Sequence, residues 1–232
     1  MAKLPTAQEL ALSALREAIG SGELQPAQQV VQEDLSAVLG VSRVPLREAL
    51  KTLEAEGLVT YYPHRGYFVT ELSVADLREV YRLREILEAE ALALAVQECT
   101  AADLDVIEGL LAELEQVVAD GHDVRAITAR NRAFHFAIFD AARRPRLTRL
   151  IRQLWDATDV YRSVYFQAAP NRTRIAREHR AMLKALRQRD AAALIDIQST
   201  HRANAVAAVA AAIDAGDATV EATALAQPQP SR

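Results

Sequence analysis

The chain has 232 residues, a formal net charge of −4, half of its residues hydrophobic and a quarter charged; it is long enough for one large or two ordinary globular domains, and its charge excludes a uniformly basic nucleic-acid coat while allowing a local basic patch. Eight glycines and eight prolines are too few for a β-rich or low-complexity protein, abundant alanine and leucine favour helices, and a lone cysteine, Cys99, excludes an internal disulfide and points to a reducing compartment. No stretch approaches the about 20 apolar residues of a membrane span, and the opening MAKLPTAQEL lacks the apolar run of a secretory signal, so a soluble, cytoplasmic, mainly α protein with no membrane partner is expected.

The chain divides near residue 72. In residues 6–72, Thr6 caps a first helix carrying Leu10, Leu12, Leu15 and Ile19, which ends at Gly20-Ser-Gly22. A short second helix over about 32–39 is broken by Gly40. Ser42 caps a third, RVPLREALKTLEAEG, in which Leu46, Leu50 and Leu53 recur at helical spacing before Gly57 stops it. The period then changes: Leu58-Val-Thr-Tyr-Tyr62 and Tyr67-Phe-Val-Thr70 are β-rich runs around Pro63-His-Arg-Gly66, which predicts a two-stranded hairpin.

Residues 73–213 carry no further strand signal and predict six helices, over about 74–98, 101–119, 123–142, 146–167, 171–188 and 190–213. Thr100-Ala-Ala-Asp103 has the form of a capping box, and Pro145 and Pro170 stand where helices begin. Such a set makes a helical bundle. Residues 214–232 are small, polar and proline-containing, the composition of a disordered tail.

Two short helices meeting at Gly40 have helix-turn-helix spacing, with Ser36 small at the approach and Leu46 as the core anchor of the second helix. That helix turns Ser42, Arg43, Val44, Arg47 and Lys51 outward, and Arg43 and Arg47 lie one turn apart on one face. An arginine fork bridges guanine O6 and N7 or clamps a phosphate, so the pair suits a recognition helix in the major groove. The hairpin adds His64 and Arg65 at its tip, and Gly66 lets that tip come close to a DNA backbone. A solvated arginine face is the plain alternative; a hairpin directly after the helix argues against it.

The stretch LGVSRVPLREALKTLEAEGLVTYYPHRGYFV resembles the winged helix-turn-helix of the GntR family of bacterial transcription regulators, through its SR-x-P-x-REAL, EGL and RG elements. The resemblance implies Arg43, Arg47 and Gly66 as DNA-contact positions. The family often has threonine where this chain has Val44, which removes a polar contact. Some relatives contact DNA with an arginine where this chain has Glu33, which implies a changed operator preference.

The second domain places polar residues on apolar faces. Asn131 and His135 fall on the stripe of Ile127, Phe134 and Ile138; His179 lies between Ile175 and Met182; His201 follows Ile197 by four. A lone inward histidine is ordinarily a core residue hydrogen-bonded to a neighbour. Three converging from three helices point to a shared divalent metal, zinc first, with nickel, manganese and iron as alternatives, and Asn131 adds a neutral oxygen.

Residues 73–208 resemble the FCD domain, the all-helical ligand-binding domain of one GntR branch, through Tyr81-Arg-Leu-Arg84, Leu87-Glu88, Asn131-Arg-Ala-Phe-His135, Glu178-His179 and Thr200-His201. In metal-binding members an aspartate and three histidines hold the ion; the histidines correspond to His135, His179 and His201, while the aspartate position is Asn131, one negative charge fewer. Arg84 and Glu88 are a second inward pair. Their spacing fits an internal salt bridge, and the resemblance favours Arg84 as the anchor of an effector carboxylate. Tyr161, Arg162 and Asn204 are weaker effector candidates, Trp155 and Phe166 are read as core, and Arg143, Arg144, Arg146 and Arg149 as solvated surface.

The expected protein is therefore mainly α, a winged helix-turn-helix followed by an FCD-type bundle. It is a homodimeric regulator, a repressor, on a palindromic double-stranded operator, sensing a small organic acid beside the metal. The alternatives are a metal-dependent hydrolase or lyase using the three histidines, with Glu88 as its one plausible base, and a direct metal-ion sensor.

Overall fold

The computed structural model describes residues 5–71, 73–120, 124–158, 165–166 and 168–214. Helix α1 (Ala7–Ser21) begins with a reciprocal cap: the Glu9 backbone N–H donates to Thr6 Oγ1 at 3.2 Å, and the Thr6 N–H donates to the Glu9 carboxylate at 2.7 Å. Helix α2 (Gln32–Leu39) ends at Gly40 in the left-handed region, φ 63°, where any side chain would be strained. Ser36 Oγ donates to the Val41 carbonyl at 2.5 Å and ties the turn from inside. Helix α3 (Arg43–Ala55) starts after Ser42, as expected, but the Ser42 side chain makes no capping bond. The hairpin is β2 (Val59–Tyr62) and β3 (Gly66–Val69).

The two-stranded expectation needs correction. A third strand, β1 (Gln29–Val30), pairs antiparallel with β3 through Gln29↔Phe68 and Val30↔Tyr67, giving the order β1-β3-β2. Two residues cannot display an alternating period, so the strand has no local signal. The head closes on a core of Leu15, Ile19, Leu46, Leu50, Leu53, Val59, Tyr67 and Val69.

The bundle consists, among the described residues, of α4 (Val74–Glu98), α5 (Ala101–Asp120), α6 (Val124–Ala141), α7 (Pro145–Asp156), α8 (Ala169–Arg187) and α9 (Ala191–Asp214). Thr100 and Asp103 form the expected capping box at the start of α5. The predicted helix over about 146–167 is shorter: α7 ends at Asp156, where Ala157 caps it. Residues 159–164, and the expected tail beyond Asp214, lie outside the described residues. The head meets the bundle where Glu17 of α1 pairs with Arg125 near the start of α6.

Two apolar clusters fill the bundle, one around Leu77, Ile127, Ile175 and Val209, the other around Leu92, Phe139, Trp155, Met182 and Leu194. Along α4, α8 and α9 the passage from one cluster to the other is occupied by buried polar residues: Arg84 and Glu88, Glu178 and His179, and Gln198, His201 and Arg202. Asn131 and His135 of α6 join this belt. Buried polar groups cost free energy unless they are paired, so the belt is where function is to be sought.

Candidate nucleic-acid interface and metal centre

On α3 the buried face is Leu46, Ala49, Leu50 and Leu53, which leaves Ser42, Arg43, Val44, Arg47 and Lys51 exposed. Arg43 is ion-paired with Glu33 of α2, and Lys51 with Glu48 at 2.8 Å. Among the described residues Arg47 has no acidic partner. At the wing tip His64 (φ 62°) and Gly66 (φ 89°) turn the chain through left-handed conformations. Gln29 Nε2 donates to the Arg65 carbonyl at 2.7 Å, so β1 steadies the tip. The Arg65 guanidinium lies over the rings of Tyr62 and Phe68, 5.8 and 5.1 Å from their centroids.

In the belt, His135, His179 and His201 come together from α6, α8 and α9. All three are buried, and one ring nitrogen from each lies within 4.8 Å of the others. His135 Nε2 and His179 Nε2 face each other at 3.0 Å, and Phe134 stacks on His179 with ring centroids 4.5 Å apart. Burial, with repulsion from His201, holds His179 well below the ordinary histidine range, so it is neutral and able to ligate. Glu178 Oε2 accepts from His201 Nδ1 at 2.6 Å, and Glu178 Oε1 accepts from Asn204 Nδ2 at 2.8 Å. Burial pushes the Glu178 carboxyl up, but His201, Asn204 and Arg174 together bring it below its usual value. Asn131 Oδ1 and His179 Nδ1 are buried without a hydrogen-bond partner. Three converging imidazoles and an unsatisfied amide oxygen suit a borderline divalent cation such as zinc, nickel, manganese or iron.

Beside this cluster Glu88 is completely enclosed. Its Oε1 accepts from Arg84 Nε at 2.9 Å and Trp155 Nε1 at 2.7 Å; its Oε2 accepts from Gln198 Nε2 at 2.9 Å and an Arg202 guanidinium nitrogen at 2.8 Å. Four donors fill the carboxylate's capacity. Burial pushes this carboxyl up, but Arg84, Arg202 and Gln198 outweigh it and hold it at about 2. Arg84 also donates to Thr158 Oγ1 at 3.1 Å and lies 4.5 and 4.2 Å from the Tyr81 and Trp155 ring centroids. Trp155 joins the two clusters, its ring 5.1 Å from that of His135.

The four expected metal-site residues are thus all buried, and the three histidines meet. Arg84 and Glu88 form the internal salt bridge rather than an open carboxylate clamp, and Asn204 is engaged by Glu178. Tyr161 and Arg162 lie outside the described residues. Trp155 and Phe166 are core, as expected. Gln198 and Arg202 were missed by periodicity, although polar residues four apart on an alanine-rich helix are a usable signal. A cleft of about 450 Å³ between α4 and α9, lined by Arg78, Tyr81, Arg82, Ser199 and Arg202, reaches the outer side of this network.

Residues 6–69 match the family described as "Bacterial regulatory proteins, gntR family", and residues 79–204 match the FCD domain. The chain is 28% identical over 176 residues to the uncharacterized HTH-type transcriptional regulator YdhC of Bacillus subtilis (strain 168), covering 76% of this chain and 79% of that protein. It is 35% identical over 141 residues to the HTH-type transcriptional regulator McbR of Escherichia coli (strain K12), covering 61% and 63%. The solved structure of E. coli McbR/YncC has a TM-score of 0.82 at 26% identity, over 90% of this chain and 100% of that one. A putative transcriptional regulator GntR from Rhodococcus sp. RHA1 shares the fold, with a TM-score of 0.75 at 24% identity over 88% and 98%.

Proposed function

This chain belongs to the GntR family of bacterial regulatory proteins, helix-turn-helix transcription regulators rather than enzymes, with an FCD domain as its second part, and from that premise we propose that it is a homodimeric repressor whose operator affinity responds to a small organic acid bound beside a divalent metal. The observation that carries the sensing half is the meeting of three buried ring nitrogens within 4.8 Å, next to an α6 face whose Asn131 Oδ1 has no partner. His135, His179 and His201 would hold the ion and Asn131 would offer a neutral oxygen. The ion would supply an open coordination position for a carboxylate. The saturation of Glu88 by Arg84, Trp155, Gln198 and Arg202, and the engagement of the buried Arg84 by Glu88 and Thr158, support assigning the effector's acid group to the ion rather than to Arg84.

Operator reading is assigned to Ser42, Arg43, Val44, Arg47 and Lys51 of α3 in the major groove, with His64, Arg65 and Gly66 at the backbone beside it. Two-fold symmetry of the dimer matches a palindromic site. Coupling requires the effector to bind two arrangements of the heads with different affinity. Helix α4 follows the wing directly, and α6 carries Asn131 and His135 together with Arg125, the partner of Glu17 in the head.

The test is operator binding by full-length protein titrated with zinc, in the presence and absence of a panel of organic acids. A response that needs both supports the proposal; a response to zinc alone makes the protein a metal sensor; affinity unchanged throughout overturns the sensing half. Elemental analysis should find the metal lost in His179→Ala with α3 still competent for DNA. Asn131→Asp, which restores a charge, should tighten zinc binding in a competition titration. Unchanged affinity there would place Asn131 outside the coordination sphere.

A further inference from the structure

A dication held by neutral imidazoles and an amide oxygen is left without compensating charge, and in a buried site that is costly. Glu88 cannot supply it, because two arginines already neutralise that carboxylate. Glu178 is a carboxylate that touches the histidine cluster. It is 9% exposed and adjoins His179 in sequence, yet it bonds His201 from the neighbouring helix. Both of its oxygens are engaged, Oε2 by His201 Nδ1 at 2.6 Å and Oε1 by Asn204 Nδ2 at 2.8 Å, so it is braced as an acceptor for the ring.

The chemistry of that contact fixes a proton. A carboxylate only accepts, so the hydrogen between the two groups belongs to His201 Nδ1. To ligate a metal the ring must be neutral, with one N–H. With it at Nδ1, the lone pair is left at Nε2, and the hydrogen bond to an anion makes that lone pair a better donor. His179 has no such support, since its Nδ1 is without a partner. His201 Nδ1 is therefore tied to a buried carboxylate, whereas His179 Nδ1 is not.

On the reading that the three histidines hold a divalent ion, we propose that Glu178 is the positioning residue of the site: it locks His201 as the Nδ1–H tautomer with Nε2 available to the metal, and it provides from behind the ring the negative charge that Asn131 lacks. Asn204 serves this arrangement by holding the second carboxylate oxygen, which assigns it to the metal site instead of the effector.

Cobalt(II) binding to the full-length protein, followed by visible ligand-field absorption with zinc as competitor, tests this alongside long-range ¹H–¹⁵N correlation of the histidine rings in the metal-free state. Glu178→Gln keeps the shape and, with the Asn204 amide turned over, the hydrogen bonds, but removes the charge; it should weaken cobalt binding about tenfold. Glu178→Ala should weaken it by about 10- to 100-fold, alter the absorption envelope and release His201 into a mixture of tautomers. If the alanine variant does not fold, the glutamine variant and the wild-type ring spectrum still decide. Wild-type affinity and absorption in Glu178→Gln, or an Nε2–H tautomer for His201 in the wild type, would overturn the role of Glu178 while leaving the metal site standing. Absence of cobalt binding by both the wild type and Asn131→Asp would remove the metal reading itself, and this inference with it.

Discussion

Glu88→Ala is expected to lower the unfolding free energy by about 3–5 kcal/mol, the cost of removing one partner from a buried ion pair. Total stability for a protein of this kind is about 5–15 kcal/mol, so the loss should be obvious in urea or thermal melts. The cause is what remains behind: Arg84 and Arg202, each about 95% or more buried, would face each other with no anion, and Trp155 Nε1 and Gln198 Nε2 would lose their acceptor. Glu85→Ala is the control. Its partner Arg82 is on the surface, and such pairs are worth about 0–1 kcal/mol. The sign of the pH dependence follows from the folded-state value of about 2 against an ordinary 4.5. The stabilisation from this carboxylate is fully present above pH 4.5 and is lost as the pH falls from there towards 2. The wild type should therefore lose stability in that window more steeply than Glu88→Gln. Equal melting of Glu88→Ala and the wild type would show that the belt does not anchor the bundle.

Arg47→Ala should weaken operator binding by about 5- to 150-fold, the range of one bidentate base contact, with little change on a scrambled duplex. Arg43→Ala should fall in the same range towards its lower end, because the wild-type Arg43 must first leave Glu33, an exposed pair costing at most about 1 kcal/mol to separate. The double variant should show no operator preference. Fluorescence anisotropy at several salt concentrations separates the two kinds of contact: loss of a phosphate contact lowers affinity on all sequences and reduces the salt slope by about one, whereas loss of a base contact spares non-specific binding. Wild-type affinity in the double variant would mean that α3 is not the reading helix. Circular dichroism should be unchanged in all three, since both side chains are exposed.

The elements were legible where a face repeats. Leu46, Leu50 and Leu53 mark the inner side of α3, and each of His135, His179 and His201 falls on the apolar stripe of its own helix, which is enough to bring them together once the helices pack. The pairings across the bundle were not legible in the same way. A periodic stripe says that Arg84 and Arg202 point inward; it does not say that both meet Glu88, which lies 114 residues from Arg202. The internal salt bridge was one of two readings of the Arg84 and Glu88 spacing, and choosing between them required Gln198, Arg202 and Trp155 in place. Strand β1 and the early end of α7 failed for opposite reasons: two residues are too few to show a period, and the apolar positions of α7 up to Trp155 are followed by no glycine or proline that would mark its end at Asp156.

Long alanine-rich rods such as α9 present nearly the same surface at every turn, and a neighbour slid by one turn, about 5.4 Å, would find a comparable fit. Charges at one level remove that degeneracy. A one-turn slide of α9 would leave only one of Gln198 and Arg202 at Glu88 and bring Leu194 or Val206, four residues along, against an ionised oxygen, so the wrong seating is penalised where greasy contacts alone are nearly indifferent. Alignment of the rods, and with it the distance between His201 and the rings on α6 and α8, is set by a lock at mid-height.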